Sequence, residues 1–349
     1  MNKVSLEVLL VVPMPPPLGG NSVHGQRLLD LLTDDGHLVK VLDYTKKNAS
    51  NDSRIIHLQG DIVTKIVTLL KTAAQLRKSA IVHFHVSALK SFRLVAPLLL
   101  LIFRHQPKVI TIHSGSFVNR TSGIIDKLLM KLILRFFHKI ITVNKEQAWH
   151  LERNGIDQHK ITTIPAFFPS FADESLVPQQ LLEIHSKKQI VLTSGSLTRI
   201  YDYDVIIDCI ERLDVSRYHF VFAFYGTVDE EVTRHVNRRL SKQHNVTILN
   251  NQSPQVFASI VQLCDIYVRS TTHDGDSVAI REALHFGKFV FASDCVERPE
   301  GCLVFHQSDS ESLYQLFLTP HTFSVKSLDT NNNFAKVLQT YHEVASKND

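Results

Sequence analysis

Short apolar runs alternate with longer amphipathic stretches along this chain, and the pattern occurs twice. In the first half the apolar runs cover residues 6–12, 38–42, 80–85, 109–113 and 139–143, and a helix is predicted over residues 22–32. Apolar runs of strand length separated by helical stretches are typical of parallel strands covered by helices on both faces. The first half therefore predicts a doubly wound α/β sheet.

The second half repeats this arrangement after a break. Prolines 165 and 169 interrupt the first pattern, and the polar stretch that follows, which contains Pro178 and runs up to Lys188, predicts a linker. Apolar runs return at residues 190–193, 220–225, 246–249, 266–268 and 289–292, and a helix is predicted over residues 204–213. A length of 349 residues, at roughly 150 per domain, also favours two domains. We predict an α/β protein with two Rossmann-like domains, residues 1–170 and 171–332, facing each other across a cleft.

The composition is that of an ordinary folded protein. Hydrophobic residues make up 44% and charged residues 21%, which excludes a disordered or fibrous chain. The 4 cysteines form no CxxC pair, so we expect buried thiols in a reducing compartment and no zinc ribbon. The longest apolar stretch, residues 94–103, is shorter than the ~20 residues of a spanning helix, and residues 8–12 are too few for a signal segment. We therefore expect a cytoplasmic protein.

Basic residues concentrate in the first half. Residues 1–170 hold 22 Lys and Arg against 11 Asp and Glu, residues 171–349 hold 16 against 23, and residues 62–125 hold nine basic residues and no acidic one. This asymmetry predicts two domains with different partners.

One amphipathic stretch stands beside the acid-free region. Between residues 124 and 139, apolar residues fall at helical spacing (124, 125, 128, 129, 132, 133, 136 and 137), and Lys127, Lys131 and Arg135 recur every four residues. By itself this pattern is typical of a helix that packs on a core. Together with the aliphatic and basic residues 90–108, it predicts a peripheral surface that meets anionic lipid on the inner face of the cell membrane.

Several common cofactor and hydrolase motifs are absent. No GxGxxG follows either opening strand, and the sequence contains no GxxxxGK[ST], HExxH or GxSxG. Nicotinamide, P-loop and serine-hydrolase chemistry therefore lack support in the sequence. No cluster of ligating residues in the sequence argues for a metal.

The most informative motif lies at residues 271–284, directly after the predicted strand 266–268. Asp276 or Ser277 can cap a helix whose first amides, at residues 278–279, would then form an anion site. Asp274 lies in the preceding loop, and Glu282 lies about one and a half turns into the helix. Two carboxylates beside an anion site would suit a sugar nucleotide, with one on the ribose and one on the sugar. A capped helix with surface acids is the alternative.

The same residues resemble a segment of family 4 glycosyltransferases with the GT-B fold. Asp274 and Glu282, with Ala283 and residues 287–293, resemble that family's EGFGxxxxEAxxxGxPVxAS. Further resemblance follows in the same order along the chain, at residues 15–20 with Ser22 and His24, residues 111–113, 192–197, 225–226 and 246–250.

The resemblance implies a two-domain enzyme that transfers a sugar, with retention, from a UDP- or GDP-sugar to an acceptor, which we take to be a lipid-linked glycan of cell-surface polysaccharide biosynthesis. It implies catalytic roles for His113, Asp274 and Arg199, with the donor on the second domain and residues 333–349 packed back on the first. Members of this family generally work without a metal, so we expect neither a metal nor another cofactor. Glu282 would bind ribose, Asp274 the sugar ring, Arg199 the diphosphate, and His113 the acceptor or sugar. The implied donor-binding residues are Gly20, Ser196, Arg199, Asn250, Asp274, Gly275, Asp276, Ser277, Val278, Ala279, Glu282 and Arg298.

Two departures from the family pattern concern the donor site. Asp274 stands where the family has Glu, and residues 195–202 lack both cations of the family's GRLxxxKG. Arg199 is the nearest substitute, and its guanidinium can bind phosphate with two hydrogen bonds. Arg298 is a second candidate, unless it is an arginine of a surface turn.

Two other functions stay open. One is a nucleotide-sugar epimerase or another GT-B enzyme that transfers no sugar. The other is a non-catalytic basic protein that binds membrane or nucleic acid, although the aromatic residues typical of RNA binding are missing and we expect no nucleic-acid partner.

Overall fold

The computed structural model describes residues 5–16, 18–45, 51–86, 89–115, 117–319 and 332–346. Its contacts divide the chain into two units, Met1–Phe168 with Asn332–Asp349, and Pro169–Asn331. Pro17 of the predicted loop 15–20 and residues 347–349 of the predicted last helix lie outside the described residues. Within those residues, no helix is both long and apolar enough to cross a membrane.

The first unit is built on a seven-stranded parallel sheet with the order β3-β2-β1-β4-β5-β6-β7. Its elements are β1 (Glu7–Val11), α1 (Gly20–Asp34), β2 (Leu38–Asp43), β3 (Ile55–His57), α2 (Ile62–Gln75), β4 (Ile81–Val86), α3 (Leu89–Ile102), β5 (Lys108–Ile112), α4 (Phe117–Arg120), α5 (Ile124–Leu134), β6 (Lys139–Thr142), α6 (Lys145–Arg153) and β7 (Ile161–Thr163). The strand order reverses between β1 and β4, and in open α/β sheets ligands bind at the carboxyl ends of strands beside such a reversal.

The second unit has a six-stranded parallel sheet with the order β10-β9-β8-β11-β12-β13. Its elements are α7 (Gln179–His185), β8 (Gln189–Leu197), α8 (Tyr203–Ile210), β9 (Tyr218–Val228), α9 (Glu230–Leu240), β10 (Val246–Asn250), α10 (Pro254–Leu263), β11 (Ile266–Arg269), α11 (Val278–His285), β12 (Phe289–Ser293), β13 (Cys302–Phe305) and α12 (Ser310–Leu318). The order reverses between β8 and β11. The predicted fold class, two doubly wound parallel α/β sheets, is confirmed.

The last helix, α13 (Asn333–Ala345), belongs to the first unit. Val337, Tyr341 and Val344 are buried in the apolar cluster that contains β1 and α1 residues. The Nδ2 of Asn333 donates to the carbonyl of Phe167 at 2.9 Å, which fixes the start of the helix.

The structure contradicts the prediction of a linker before residue 189 and adds three strands. The predicted linker contains α7, whose Leu181 is buried in the second unit's core with Leu182 and Ile184 packed beside it. These three apolar residues supply one buried face, which is enough for a helix because the remaining positions can stay polar. The strands β3, β7 and β13, each three or four residues long, were not predicted.

Candidate active site

A buried ionic network occupies the carboxyl end of β11 in the second unit. Arg269 donates from Nε to Oδ2 of Asp274 at 3.1 Å and from Nη2 to Oδ1 at 3.2 Å. Arg298 donates from Nη1 to Oδ2 of the same carboxylate at 3.0 Å. All three side chains are almost fully buried: that of Arg269 is 8% exposed, that of Asp274 10% and that of Arg298 3%. Two guanidinium groups and one carboxylate give this network a net positive charge.

The arginines keep Asp274 ionised. Burial raises the pKa of this carboxyl group, but the attraction of Arg269 and Arg298 outweighs burial and holds the pKa well below its usual range. The pKa of Arg269, which burial lowers, is likewise raised well above its ordinary value by Asp274. Asp274 and Arg269 therefore keep their charges at any pH near neutrality.

Asp274 has little capacity left for a ligand. Besides the arginines, the hydroxyl of Thr271 donates to its Oδ2 at 3.2 Å and the amide of Gly275 donates to its Oδ1 at 3.1 Å. A carboxylate offers about four lone-pair sites, and these five hydrogen bonds fill them. In this structure Asp274 holds two arginines in place, which differs from the predicted role of binding sugar hydroxyls.

Arg298 is held by a further set of acceptors. Its Nε donates to the carbonyl of Ser293 at 2.7 Å, and its Nη2 donates to the hydroxyls of Ser293 at 3.1 Å and Thr271 at 3.2 Å. The alternative of a surface-turn arginine is wrong, because this side chain is buried and bonded from two sides.

Arg199 lies in a different environment from the buried arginines. It opens the 3₁₀ turn Arg199–Tyr201 after β8, and its side chain is 75% exposed. Its Nη2 donates at 2.6 Å to Oε2 of Glu231, which is 72% exposed. An exposed pair of this kind adds little stability and opens easily.

The turn after β8 packs closely on the network. A Cβ atom at Gly195 would lie 2.0 Å from the ring of Tyr201, so only glycine leaves room for that ring. The guanidinium of Arg269 lies over the same ring, 4.8 Å from its centroid, and its Nη1 donates to the carbonyl of Ser194 at 3.2 Å. Ser196 follows, with its hydroxyl 3.1 Å from that of Thr198.

The start of α11 has the predicted cap. Ser277 is the N-cap, and its hydroxyl accepts from the amide of Ile280 at 3.4 Å. Asp276, the other predicted cap, accepts from Nε of Arg281 at 2.5 Å instead. The amides of residues 278–279 thus stand at the first turn of the helix, where its dipole is positive.

Glu282 is buried within α11. The residue is 1% exposed, and the hydroxyl of Ser170 donates a hydrogen bond to Oε1 of its side chain. Asn250 is exposed at the end of β10, and Gly20 is exposed at the first position of α1 in the first unit. The structure therefore brings Asp274, Gly275 and Arg298 together, with further predicted donor residues directly behind them at the start of α11 and on that helix: Asp276, Ser277, Val278, Ala279 and Glu282. The remaining predicted donor residues lie on other elements: Gly20, Ser196, Arg199 and Asn250.

Histidines gather at the carboxyl ends of β4 and β5 in the first unit. Nδ1 of His85 lies 3.0 Å from Nε2 of His113, and the ring of His24 lies 4.8 Å from that of His113 between centroids. His83 bonds instead through Nδ1 to the hydroxyl of Tyr341 at 2.6 Å and through Nε2 to Thr111 at 2.7 Å. His113 was predicted as a site residue; His24 and His85 were not.

The predicted basic helix forms α5, but its apolar stripe is divided. The helix ends at Leu134, earlier than the predicted residue 139, and Arg135 is its C-cap. Met130, Ile133 and Leu134 pack on the core, while a second group of apolar side chains is 50–79% exposed: Ile124, Ile125, Leu128, Leu132 and Phe136. Lys131 and Arg135 are exposed and Lys127 is half-buried beside them.

Two neighbouring helices carry exposed apolar residues as well. Helix α3 contacts both α2 and α5, and Arg93 of α3 pairs with Asp126 of α5. Their exposed apolar side chains are Ile62, Val63, Ile66, Val67 and Leu70 on α2, and Leu94 and Leu101 on α3. We call the exposed apolar residues of α2, α3 and α5, with Phe136, the apolar surface.

Some residues of these two clusters were not predicted, although the sequence contains partial signals for them. Arg269 directly follows the apolar run 266–268, a position where a charged side chain needs a buried partner. His83 and His85 stand two apart on a strand and therefore share one face.

Two family models match the chain. The model described as Glycosyltransferase Family 4 matches residues 18–168, and the model described as Glycosyl transferases group 1 matches residues 179–303. A curated protein, the N,N'-diacetylbacillosaminyl-diphospho-undecaprenol alpha-1,3-N-acetylgalactosaminyltransferase of Campylobacter jejuni, is 26% identical over 183 residues. The match covers 50% of this chain and 46% of that protein, so it spans about half the length of the relative.

Solved structures of glycosyltransferases superpose on nearly the whole chain. Anabaena HepE in complex with UDP and glucose has a TM-score of 0.68 at 13% identity, covering 98% of this chain and 95% of that one. The catalytic domain of starch synthase IV from Arabidopsis thaliana, bound to ADP and acarbose, has a TM-score of 0.66 at 13% identity and covers 99% of each chain. At such identities the likeness establishes the fold, and with the two family models it shows that the chain is a GT-B glycosyltransferase of the family 4 type.

Proposed function

We propose that this enzyme transfers a sugar, with retention, from a UDP- or GDP-sugar to a lipid-linked glycan acceptor in cell-surface polysaccharide biosynthesis. The observation that carries the acceptor class is the apolar surface of the first unit. The donor class is supported by the net positive network of Arg269, Asp274 and Arg298 and by the start of α11.

Apolar side chains on three neighbouring helices are unusual on a free protein surface, and a patch of this kind marks a partner or a membrane. Lys127, Lys131 and Arg135 lie on or directly after α5, and residues 62–125 contain no acidic residue that would repel anionic lipid. Apolar residues beside basic ones favour binding in the plane of an anionic membrane. A lipid-linked acceptor would be presented at that surface.

In the second unit, the buried network would stabilise the departing nucleoside diphosphate. Negative charge grows on the diphosphate oxygens as the sugar leaves, and fixed positive charge lowers the barrier because it needs no rearrangement at that moment. Arg269 and Arg298 supply this charge from buried positions that Asp274 fixes. The amides at residues 278–279 add the positive end of α11.

We assign Arg199 to direct contact with the diphosphate. Its exposed side chain is free to leave Glu231 at little energetic cost. Glu282 is assigned to the ribose, because a carboxylate can accept hydrogen bonds from both hydroxyls of a diol. Ser170 already donates to Glu282 and so fixes its orientation.

In the first unit, His113 is assigned to a hydroxyl of the acceptor or the transferred sugar. Burial lowers the pKa of His113 well below its usual value, so the imidazole is neutral and offers one donor and one acceptor nitrogen. The name of the Campylobacter jejuni relative, which acts on a diphospho-undecaprenol substrate, supports a lipid-linked acceptor here.

The experiment has a donor arm and an acceptor arm. We expect UDP or GDP at 100 times its Kd to raise the unfolding free energy by about 2.7 kcal/mol, seen as a thermal shift. With the matching radiolabelled sugar nucleotide, label should move to a polyprenyl-diphosphate glycan in vesicles. Donor conversion without transfer would favour an epimerase. Salt-dependent binding to nucleic acid without any response to nucleotides would contradict the enzyme proposal.

A further inference from the structure

Three histidines far apart in the sequence meet in the first unit. His24 lies on α1, His85 lies near the end of β4, and His113 directly follows β5. β1, β4 and β5 are consecutive neighbours in the sheet, and α1 follows β1. The topology thus brings the three side chains to the carboxyl ends of adjacent strands, where one nitrogen from each ring lies within 4.8 Å of the others.

The spacing is close to that of ligands on one metal ion. With a Zn–N distance of about 2.0–2.1 Å and tetrahedral angles, ligand nitrogens lie roughly 3.3 Å apart. Nδ1 of His85 and Nε2 of His113 are 3.0 Å apart. The nitrogen of His24 needs to approach by about 1.5 Å at most, which small rotations of the side chains can supply.

The three rings are shielded from solvent. His24 and His85 are buried, and His113 is half-buried. Burial disfavours the charged form of a side chain, and neutral imidazole is the form that binds a metal ion.

The polar contacts of His24 leave one nitrogen for a ligand. His24 hydrogen-bonds to the backbone of Ala166, while its buried Nδ1 has no hydrogen-bond partner among the residues that the structure describes. Histidines that ligate metals usually donate their second N–H to a backbone carbonyl or carboxylate in this way. A buried nitrogen without a partner costs stability, so this atom points to a missing ligand.

We propose that His24, His85 and His113 bind a divalent transition-metal ion of the zinc type, leaving one coordination position for an oxygen ligand. The ion would take the place of the hydrogen bond between His85 and His113, with the proton of that bond moving to the other nitrogen of the ring that carries it, and it would give Nδ1 of His24 a partner. Among the described residues, this grouping contains no carboxylate or thiolate. An all-imidazole site favours Zn²⁺, Co²⁺ or Ni²⁺ over Mg²⁺ and Ca²⁺. No short sequence motif joins these three histidines, because they are spread over residues 24–113.

The experiment uses the full chain after removal of metals with a chelator. Co²⁺ is titrated in while its visible d–d absorption is followed, and Zn²⁺ is then added to displace it. We expect an intense tetrahedral-type spectrum that saturates at one ion per chain, with Zn²⁺ binding more tightly. Because no donor or acceptor is present, the result is independent of sugar transfer.

The variants His24→Gln and His85→Gln should each weaken Co²⁺ binding by more than tenfold. His83→Gln is the matched control, since His83 is also buried but both of its nitrogens are bonded to Tyr341 and Thr111; its affinity should stay within about twofold. If the unmodified chain shows no saturable Co²⁺ spectrum, the proposal is wrong whatever the variants do. It is equally wrong if both ligand variants bind as the parent does.

Discussion

Replacing Asp274 with Asn should destabilise the second unit strongly. The change removes the carboxylate that faces Arg269 and Arg298, and all three side chains are at least nine-tenths buried. Breaking a buried ion pair by removing one partner costs about 3–5 kcal/mol, because the other charge stays buried without compensation. The NH₂ of an asparagine would also point a donor at a guanidinium group, which itself has only donors.

The measurement is calorimetric unfolding of the full chain, with attention to the transition of residues 169–331. For a unit of this size, 3–5 kcal/mol corresponds to a Tm lower by about 6–20 °C. Glu231→Gln is the control, since it breaks the exposed pair with Arg199 and should cost less than about 1 kcal/mol. If Asp274→Asn costs no more than this control, the network does not act as a buried charge assembly.

Three further predictions concern the same unit. The stability difference between the parent and Asp274→Asn should be constant from pH 8 to about pH 5 and shrink only below about pH 4. The reason is that a carboxyl group whose folded pKa is depressed loses its contribution to stability as pH falls from its unfolded pKa of about 3.9. If urea titrations show that the difference already shrinks near pH 6, this reasoning is wrong. Glu282→Gln should weaken UDP or GDP binding, measured by calorimetry, because an amide cannot accept hydrogen bonds from both ribose hydroxyls as the carboxylate does. It should cost little stability, because the amide oxygen can still accept from Ser170. An unchanged affinity for the nucleotide would remove the ribose role. Arg199→Ala should leave Tm nearly unchanged and reduce kcat by about 10²–10³-fold, as for loss of one oxyanion donor; a kcat within twofold of the parent would show that Arg269, Arg298 and the α11 amides suffice.

The fold could be predicted because its strands are buried on both faces. Strands such as β4 and β5 are apolar along most of their length and stand out against helical stretches. β3 and β7 lie at the two edges of their sheet and have half-buried or exposed residues, so their sequences carry weak patterns. α7 was missed because few apolar residues supply its buried face.

The candidate site was less predictable than the fold. The helix start at Ser277 follows from local capping chemistry, which neighbouring residues determine. The partners of Asp274 cannot be predicted from local chemistry in the same way, because Arg298 lies 24 residues further along the chain. The histidine cluster depends on the order of strands in the sheet, which no short motif encodes. Exposure of the apolar residues on α5 likewise depends on which side of the helix meets the core.

The central claim, that the first unit docks on an anionic membrane, is tested most directly by co-sedimentation with phosphatidylglycerol vesicles at low and high salt. Each basic residue near such a surface contributes ~1 kcal/mol, so Lys127→Glu, Lys131→Glu and Arg135→Glu together should release the protein. A control with Lys187, Arg238 and Lys242 of the second unit changed to Glu should still sediment, as these exposed residues lie outside α5. We expect the parent to sediment at low salt, less at high salt, and the first triple variant to stay in solution while nucleotide still stabilises it. A parent protein that never sediments, even at low salt, would contradict the account.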